Sequence, residues 1–157
     1  MIMSNNIQGF VKELEFEEAL TNHLLQHGWN EVIKNPTEEE LVQNWANIIY
    51  DNNRGVDQLG NHPLTASEMQ QVIDQVNLCD SPYAINNLIN GQQLCIKRDC
   101  QEDRNNYGKT VYLKIFDPKE ISAGQSRYQI VRQPKFKTKE AMAGDRRGDL
   151  MLLINGM

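Results

Sequence analysis

The residues near the end of the sequence place the strongest constraint on its fold. Asp149 is followed by five apolar residues (150–154) and then by Asn155-Gly156. A short apolar run bounded by turn residues is typical of a buried strand. Asn-Gly favours a type I′ turn, in which both central residues take positive φ and a second strand follows. Because only Met157 remains, we expect the sequence to be a fragment that ends within a hairpin.

The size of the chain sets its domain organisation. A sequence of 157 residues is long enough for one hydrophobic core, so we expect a single domain over residues 1–157. Its first residues do not resemble a signal peptide, and no apolar run approaches the length needed to span a membrane. The three cysteines form no CxxC pair. These features indicate a cytoplasmic protein with reduced thiols.

The charge of the chain is unevenly distributed. The formal net charge is −5. Residues 1–80 contain 3 Lys/Arg and 13 Asp/Glu, a net charge of −10, whereas residues 81–157 contain 13 Lys/Arg and 8 Asp/Glu, a net charge of +5. Basic residues are dense between 127 and 147: Arg127, Arg132, Lys135, Lys137, Lys139, Arg146 and Arg147. Such a segment suits a phosphate-rich partner. On charge alone, a solvated loop explains it equally well.

Periodicity and capping signals predict helices first and strands later. Four helices are predicted, at about 12–27, 38–51, 66–77 and 82–90. The last three follow local start signals, which are capping boxes at Thr37 and Thr65 and the dipeptide Ser81-Pro82. Alternation or apolar runs predict strands at 94–98, 110–116, 127–133 and 149–154, with a long basic loop at 134–148. This order indicates an α+β fold, with a helical part over about 10–91 and a sheet part over about 92–157.

Two acidic residues occupy unusual positions. Glu17 lies about 20° from Leu24 on a helical projection, at the edge of an apolar stripe that includes Phe16 and Leu20. It either extends to water, which spacing alone favours, or is held for a function. Asp149 enters an apolar strand without capping a helix, where an unpaired carboxylate costs free energy. It either forms an ion pair, for example with Arg146 or Arg147, or binds a hard divalent cation.

Two further motifs do not carry their usual functions. Gly108-Lys109-Thr110 imitates the end of a phosphate-binding P-loop, but Asp103 stands where that loop needs glycine. A strand, and not the required helix, is predicted to follow it. His23 and His27 have the spacing of a zinc-binding pair but lack the glutamate of the H-E-x-x-H motif. We interpret both histidines as surface residues near the end of a helix.

The order of several short motifs resembles the N-terminal nuclease domain of the restriction (R) subunit of type I restriction enzymes. The most specific motif is the segment 146–156, Arg-Arg-Gly-Asp-Leu-Met-Leu-Leu-Ile-Asn-Gly. Others precede it in the expected order: Phe16-Glu17-Glu18 with Gly28-Trp29, Leu64-Thr65 with Glu68-Met69, Lys97-Arg98-Asp99, Ile115-Phe116-Asp117, Tyr128-Gln129-Ile130 and Gln133-Pro134. The resemblance extends from about Phe10 to the end of the sequence.

The resemblance implies a restriction-endonuclease-like PD-(D/E)xK fold, truncated before its last core strand. Asp149 would then be a catalytic residue and the first acidic ligand of Mg²⁺, and Glu17 a catalytic residue facing the same site. A Glu-x-Lys motif would follow Met157, so the chain alone is expected to be inactive. The basic residues between 127 and 147 would hold the DNA backbone.

The resemblance also implies a larger assembly. The intact protein would cleave double-stranded DNA and translocate it with ATP, which motor domains outside this sequence would use. It would assemble with the methyltransferase (M) and specificity (S) subunits. A non-catalytic alternative stays open, in which the domain is an interaction module whose acidic helical half docks on those subunits. The presence or absence of Glu-x-Lys after Met157 distinguishes the two.

Overall fold

A computed structural model of the chain describes residues 2–122, 126–136, 146–147 and 150–157, and the side chains of residues 12–120, 126–134 and 150–157. The described helices are α1 (Ile2–Leu25), α2 (Glu38–Asn52), α3 (Ala66–Asn77), α4 (Pro82–Ile89) and α5 (Pro118–Ser122). The described strands are β1 (Glu31–Lys34), β2 (Leu94–Lys97), β3 (Thr110–Leu113), β4 (Tyr128–Arg132), β5 (Lys135–Phe136), β6 (Arg146–Arg147) and β7 (Leu150–Ile154). The predicted α+β class is confirmed.

The chain forms two compact units. Unit 1 comprises residues 1–40 and 127–154, and unit 2 comprises residues 41–126 and 155–157. The assignment of residues 1–157 to one domain stays a prediction. Within the described part of the chain, no helix combines the length and the apolar character needed to cross a membrane.

Unit 1 is built on a three-stranded mixed sheet in the order β1-β4-β7. β1 runs parallel to β4, and β7 runs antiparallel to it with Arg132 opposite Leu150. Ile130 and Val131 of β4 are fully buried. β1 lies in the part of the sequence that was predicted to be helical, and it is the one described strand before residue 91. Its sequence, Glu-Val-Ile-Lys, does not alternate between apolar and polar residues, so it carries no strand pattern.

The buried face of α1 differs from the predicted apolar stripe. Phe16 is 69% exposed, whereas Glu17 and Thr21, one turn apart, are 6% and 4% exposed. The Thr21 hydroxyl donates a hydrogen bond to the Glu17 carbonyl oxygen at 2.7 Å, which satisfies this buried polar group. The predicted placement of Phe16 in the core is therefore wrong. The predicted end of the helix is nearly right, since Gly28 takes φ +99° three residues after Leu25.

The helices begin where local capping signals predict. Thr37 and Glu40 form a reciprocal pair of hydrogen bonds of 3.0 and 3.2 Å at the start of α2. Thr65 and Glu68 form the same arrangement at the start of α3, at 2.8 and 3.2 Å. The Ser81 hydroxyl accepts a hydrogen bond from the Ala84 N–H at the start of α4. These interactions join residues three apart, so the sequence alone is sufficient to predict them.

In unit 2, the hairpin of β2 and β3 buries one face and exposes the other. Leu94, Ile96, Val111 and Leu113 are buried, and the intervening residues are exposed. The two strands pair antiparallel with Leu94 opposite Leu113. β3 is shorter than predicted, because it ends at Leu113 and not at residue 116.

Side-chain amides of α3 cover the outer edge of β2. The Gln71 side chain donates to the Lys97 carbonyl at 3.2 Å and accepts from the Lys97 N–H at 2.9 Å. One turn later, Gln75 donates to the Cys95 carbonyl at 2.6 Å and accepts from the Cys95 N–H at 3.3 Å. We call these paired contacts amide clamps. They satisfy backbone groups that a neighbouring strand would otherwise satisfy.

A third amide clamp lies on the opposite edge of the hairpin. The buried Asn53 side chain donates to the Lys114 carbonyl at 2.9 Å and accepts from the Lys114 N–H at 2.7 Å. Gln58 donates to the Tyr112 carbonyl at 3.0 Å. Backbone groups on both edges of the two-stranded sheet are thus hydrogen-bonded to side chains.

A fully buried arginine lies at the centre of unit 2. The Arg98 guanidinium contacts Glu68 Oε1 at 2.6 Å and Asp103 Oδ2 at 3.1 Å, and Arg98 and Glu68 are both 0% exposed. It also donates to three backbone carbonyls, those of Leu59, His62 and Pro63. Burial raises the pKa of Asp103, but hydrogen bonds from Arg98 and Asn106 outweigh it and hold that pKa below its usual range.

The Asn155-Gly156 turn has the conformation that the sequence predicts. Asn155 and Gly156 take φ +54° and +84°, as a type I′ turn requires. A Cβ on Gly156 would lie 2.9 Å from the Cα of Trp45, so glycine is required here for space as well as for conformation.

The segment predicted to be a long loop, 134–148, contains the two short strands β5 and β6. They pair antiparallel, with Lys135 opposite Arg147 and Phe136 opposite Arg146. The loop prediction is wrong at these four residues, because backbone pairing between distant positions is not visible in local composition. α5 lies between the predicted strands 110–116 and 127–133, where no helix was predicted.

Candidate functional site

The most informative acidic side chain in unit 1 is that of Glu17. Its side chain is only 7% exposed, which excludes the interpretation that it extends to water. Gln133 Nε2 donates to Glu17 Oε2 at 3.3 Å, and Arg132 Nη2 lies 3.8 Å from the same oxygen. A carboxylate removed from water needs such partners. The alternative that Glu17 is held in place is therefore the one that the geometry supports.

Gln133 orients Glu17 from a strained backbone position. It takes φ +49°, in the left-handed region that non-glycine residues rarely adopt. It follows the last residue of β4 and precedes the buried Pro134. Left-handed residues often occur at functional sites, where the surrounding structure compensates for the strain. Sequence reasoning did not identify Gln133 as a site residue, because a Gln-Pro dipeptide carries no signal for positive φ.

Glu17 lines a groove in unit 1 of about 400 Å³. The lining residues described are Lys12, Glu13, Phe16, Glu17, Leu20 and Leu150. Glu13 precedes Glu17 by one helical turn, so two carboxylates of α1 reach the same groove. Leu150 begins β7 and pairs with Arg132. The described lining therefore comes from one face of α1 and from the start of β7.

The predicted metal ligand Asp149 lies outside the described residues, as does the neighbouring Gly148. Leu150, the residue that follows Asp149 in the sequence, lines the groove with Glu17. Among the described residues, no group of three or more His, Cys, Asp or Glu could hold a metal ion. Glu13 and Glu17 are the acidic side chains among the described residues that line this groove.

The structure distributes the predicted DNA-backbone residues over several environments. Arg127 forms a bidentate ion pair with Glu31 at 2.8 to 3.0 Å, and Gln129 donates to the same carboxylate at 2.9 Å. Arg132 lies beside Glu17. Lys135, Arg146 and Arg147 belong to the paired strands β5 and β6, with side chains outside the described set. Lys137 and Lys139 lie outside the described residues altogether.

A second groove, of about 490 Å³, lies in unit 2 beside the start of α3. Asp99 lines it, and hydrogen bonds from the Thr65 and Ser67 hydroxyls hold the pKa of Asp99 below its usual range. The buried polar side-chain atoms that lack a partner in the described part of the chain, Trp45 Nε1 and Ser126 Oγ, are not among its lining. We interpret the contacts of this groove as structural.

No protein-family model matches the chain, and a search of curated proteins finds no similar sequence. The catalytic roles of Asp149 and Glu17, and the DNA contacts of the basic residues, stay predictions. The groove of unit 1 is the candidate site, because it combines a buried oriented carboxylate with the start of the strand that follows Asp149 in the sequence.

Proposed function

We propose that the chain is the N-terminal nuclease domain of the restriction subunit of a type I restriction enzyme, with a PD-(D/E)xK fold. The observation that carries this proposal is the buried Glu17 carboxylate, held by Gln133 at 3.3 Å in a groove that Leu150 also lines. The resemblance assigns metal-site roles to Glu17 and to Asp149, which precedes Leu150. Glu17 and Leu150 are 133 positions apart in the sequence, and tertiary structure brings both to the same groove.

The described part of the groove supplies two carboxylates, which suit a hard divalent cation but do not form a metal site by themselves. Its side-chain ligands are the oxygens of Glu13 and Glu17, and Mg²⁺ prefers carboxylate oxygen over nitrogen or sulfur. When bound, Mg²⁺ supplies the Lewis acid that activates water against a phosphodiester. Glu17 would contribute a carboxylate oxygen on the α1 side, and Asp149 would contribute another. The Glu-x-Lys motif that the resemblance implies would complete the site.

Arg132 and the basic residues after it would bind the phosphates of double-stranded DNA. Contacts to phosphate position the duplex without reading its sequence, so this domain would cleave without sequence preference. Recognition of the DNA site would belong to the specificity subunit, and translocation to ATP-driven motor domains. Arg127 is a weaker candidate for a phosphate contact, because both oxygens of Glu31 already accept hydrogen bonds from it.

The first test is the sequence that follows Met157 in the natural gene. A Glu-x-Lys motif within the next twenty or so residues, about one hairpin strand and its flank, supports the nuclease. Its absence contradicts the proposed catalytic site.

The second test is Asp149→Asn in the intact protein. We expect DNA cleavage to fall by orders of magnitude while ATP hydrolysis and translocation persist, because the change removes the anion that holds Mg²⁺ and keeps the shape of the side chain. Asp57→Asn, the same substitution at an exposed residue of unit 2, is a control that should retain cleavage. Cleavage retained by Asp149→Asn would contradict the assignment. Joint loss of cleavage and ATP hydrolysis, with a lower melting temperature, would indicate a structural ion pair instead.

A non-catalytic role in subunit assembly is the second candidate. It is favoured by exposed apolar residues on and before α4, where Leu78 and Tyr83 are each 77% exposed and Ile85 and Ile89 are 42% and 40% exposed. Exposed apolar patches are typical of interaction surfaces. Binding of the purified methyltransferase–specificity core that is lost in Tyr83→Ser, together with cleavage retained by Asp149→Asn, would favour this role.

A further inference from the structure

We infer that Arg132 is a displaceable counter-ion of Glu17, which must leave that carboxylate when a divalent cation binds. This inference rests on the proposed function, since it assumes that Glu17 faces the metal. The inference goes beyond the proposed function because it assigns Arg132 a change of partner. The side chain would move from Glu17 to a substrate phosphate, so that metal binding makes a phosphate-binding group available.

The geometry of the Arg132–Glu17 contact supports displacement. Its shortest N–O distance is 3.8 Å, beyond the range of a hydrogen bond. The other arginine–carboxylate pairs in the described part of the chain are shorter: 2.6 Å for Arg98–Glu68, 3.1 Å for Arg98–Asp103 and 2.8 Å for Arg127–Glu31. Of these four contacts, only the one at Glu17 has electrostatic attraction without a hydrogen bond.

Burial gives the displacement a driving force. The Glu17 side chain is 7% exposed, and its described partners are one amide hydrogen bond and the distant guanidinium. A buried carboxylate with so few close donors is incompletely compensated for its lost hydration. A divalent cation in contact with its oxygen would compensate it better. The Arg132 side chain is 21% exposed and therefore has a route to solvent.

Gln133 has the opposite role at the same carboxylate. Its amide donates a hydrogen bond to Glu17 Oε2 and carries no charge, so it does not compete electrostatically with a cation. Gln133 is therefore a positioning residue, whereas Arg132 is a competitor. The two neighbours should affect cation affinity in opposite directions, which a general loss of stability would not do.

The experiment measures Mn²⁺ affinity of the 157-residue chain by calorimetry up to tens of millimolar. We expect Arg132→Met to bind Mn²⁺ about threefold to fivefold more tightly than the parent chain, the upper part of the range that corresponds to loss of one partly exposed ion pair. Gln133→Ala should bind more weakly, and Glu17→Gln should lose binding. The matched control is Lys34→Met. It removes the same charge from the position paired with Arg132 on β1, and solvent screening should limit its effect to less than about twofold.

A second measurement does not depend on the folding of any variant. The Nε–Hε resonance of Arg132 in the parent chain should shift on addition of Mg²⁺, while that of Arg127 stays in place. An Arg132 resonance unchanged at saturating Mg²⁺ overturns the inference. So does an affinity of folded Arg132→Met that is equal to or lower than that of the parent. No Mn²⁺ binding by either protein overturns the proposed metal role of Glu17, and the inference with it. Glu17→Gln that binds as the parent does overturns the proposed role of Glu17 as well, so the two failures are distinguishable.

Discussion

Gly156 is the residue whose identity the structure constrains most directly. It combines φ +84° with a position at which any Cβ would lie 2.9 Å from the backbone of Trp45. Gly28 has a similar φ of +99°, but a Cβ there would meet no atom within 4 Å. The pair therefore separates the cost of a left-handed conformation from the cost of a steric clash.

We expect Gly156→Ala to destabilise the protein more than Gly28→Ala. Gly28→Ala should lower the free energy of unfolding by about 1–2 kcal/mol, the cost of the left-handed conformation. Gly156→Ala should lower the free energy of unfolding by about 1–3 kcal/mol more than Gly28→Ala does, because the Trp45 backbone must also shift. Urea denaturation of the two variants measures both quantities. Equal losses would mean that the Trp45 contact is relieved without cost.

Arg98 is the second residue with a direct consequence for stability. We expect Arg98→Met to lower the free energy of unfolding by about 3–5 kcal/mol, because it leaves the buried Glu68 and Asp103 without their cation. Lys97→Met, one position earlier on an exposed site, should change stability by less than about 0.5 kcal/mol. A loss below about 1 kcal/mol for Arg98→Met would show that the apolar replacement packs well enough to offset the missing ion pairs.

The local sequence around these residues explains what could be predicted at this scale. The Asn155-Gly156 conformation follows from two adjacent residues, and the structure confirms it. The burial of Arg98 depends on Glu68, thirty positions earlier, and no local pattern indicates it. Glu17 was identified as an unusual acid from helical spacing, but its burial depends on Gln133, 116 positions later.

The same contrast between local and long-range interactions holds for elements. The starts of α2, α3 and α4 were predicted correctly because each is fixed by side chains within three residues of the cap. β1 was missed because its stabilising partner, β4, lies about a hundred residues later, and parallel pairing leaves no turn signal in the sequence. Phe16 was misplaced because apolar spacing identifies a helix face without showing what packs against it.

β7 is an edge strand of the sheet in the described part of unit 1. An edge strand presents N–H and C=O groups that can pair with another chain. We expect the 157-residue chain to self-associate through β7, so its sedimentation coefficient should rise with concentration.

Leu152, which is 45% exposed on β7, provides the variant for this prediction. Leu152→Lys should shift the chain towards monomer, because a charge on an edge opposes strand addition. Val56→Lys places the same charge on an apolar residue of unit 2 that is 79% exposed and should leave association unchanged. A parent chain that sediments as a monomer at all concentrations would contradict the prediction.

At the scale of the whole molecule, acid should destabilise the fold through Asp103. The folded-state pKa of Asp103 lies below its usual value. Its contribution to stability is therefore present above the unfolded pKa of about 3.9 and is lost as the pH falls through the folded value. We expect the melting temperature to fall more steeply below about pH 5 than above it.

Asp103→Asn tests the source of this pH dependence. The variant should be less stable at pH 7, because Arg98 loses a charged partner, but its melting temperature should change less between pH 6 and pH 3. Glu102→Gln, at the adjacent exposed position, should keep the pH dependence of the parent. An unchanged profile in Asp103→Asn would assign the acid sensitivity to other groups.

Sequence order predicted the class of the whole molecule but not its connectivity. Helices α1 to α4 and four of the seven described strands were expected, so α+β followed from their succession along the chain. The sheet of unit 1 instead combines strands from residues 31–34, 128–132 and 150–154. The candidate site was predicted for Glu17, whereas Gln133 and Glu13 became apparent only from the tertiary contacts.

The amide clamps of α3 restrict how this part of the protein could change in length during evolution. Gln71 and Gln75 reach β2 because they are one helical turn apart and face the same side. Inserting one residue between the start of α3 and Gln71 would rotate both side chains by about 100° and remove four backbone contacts together. Substitutions on the exposed face of α3 would leave these contacts intact. We therefore expect homologous chains to vary in sequence along this helix and to accept insertions only outside it.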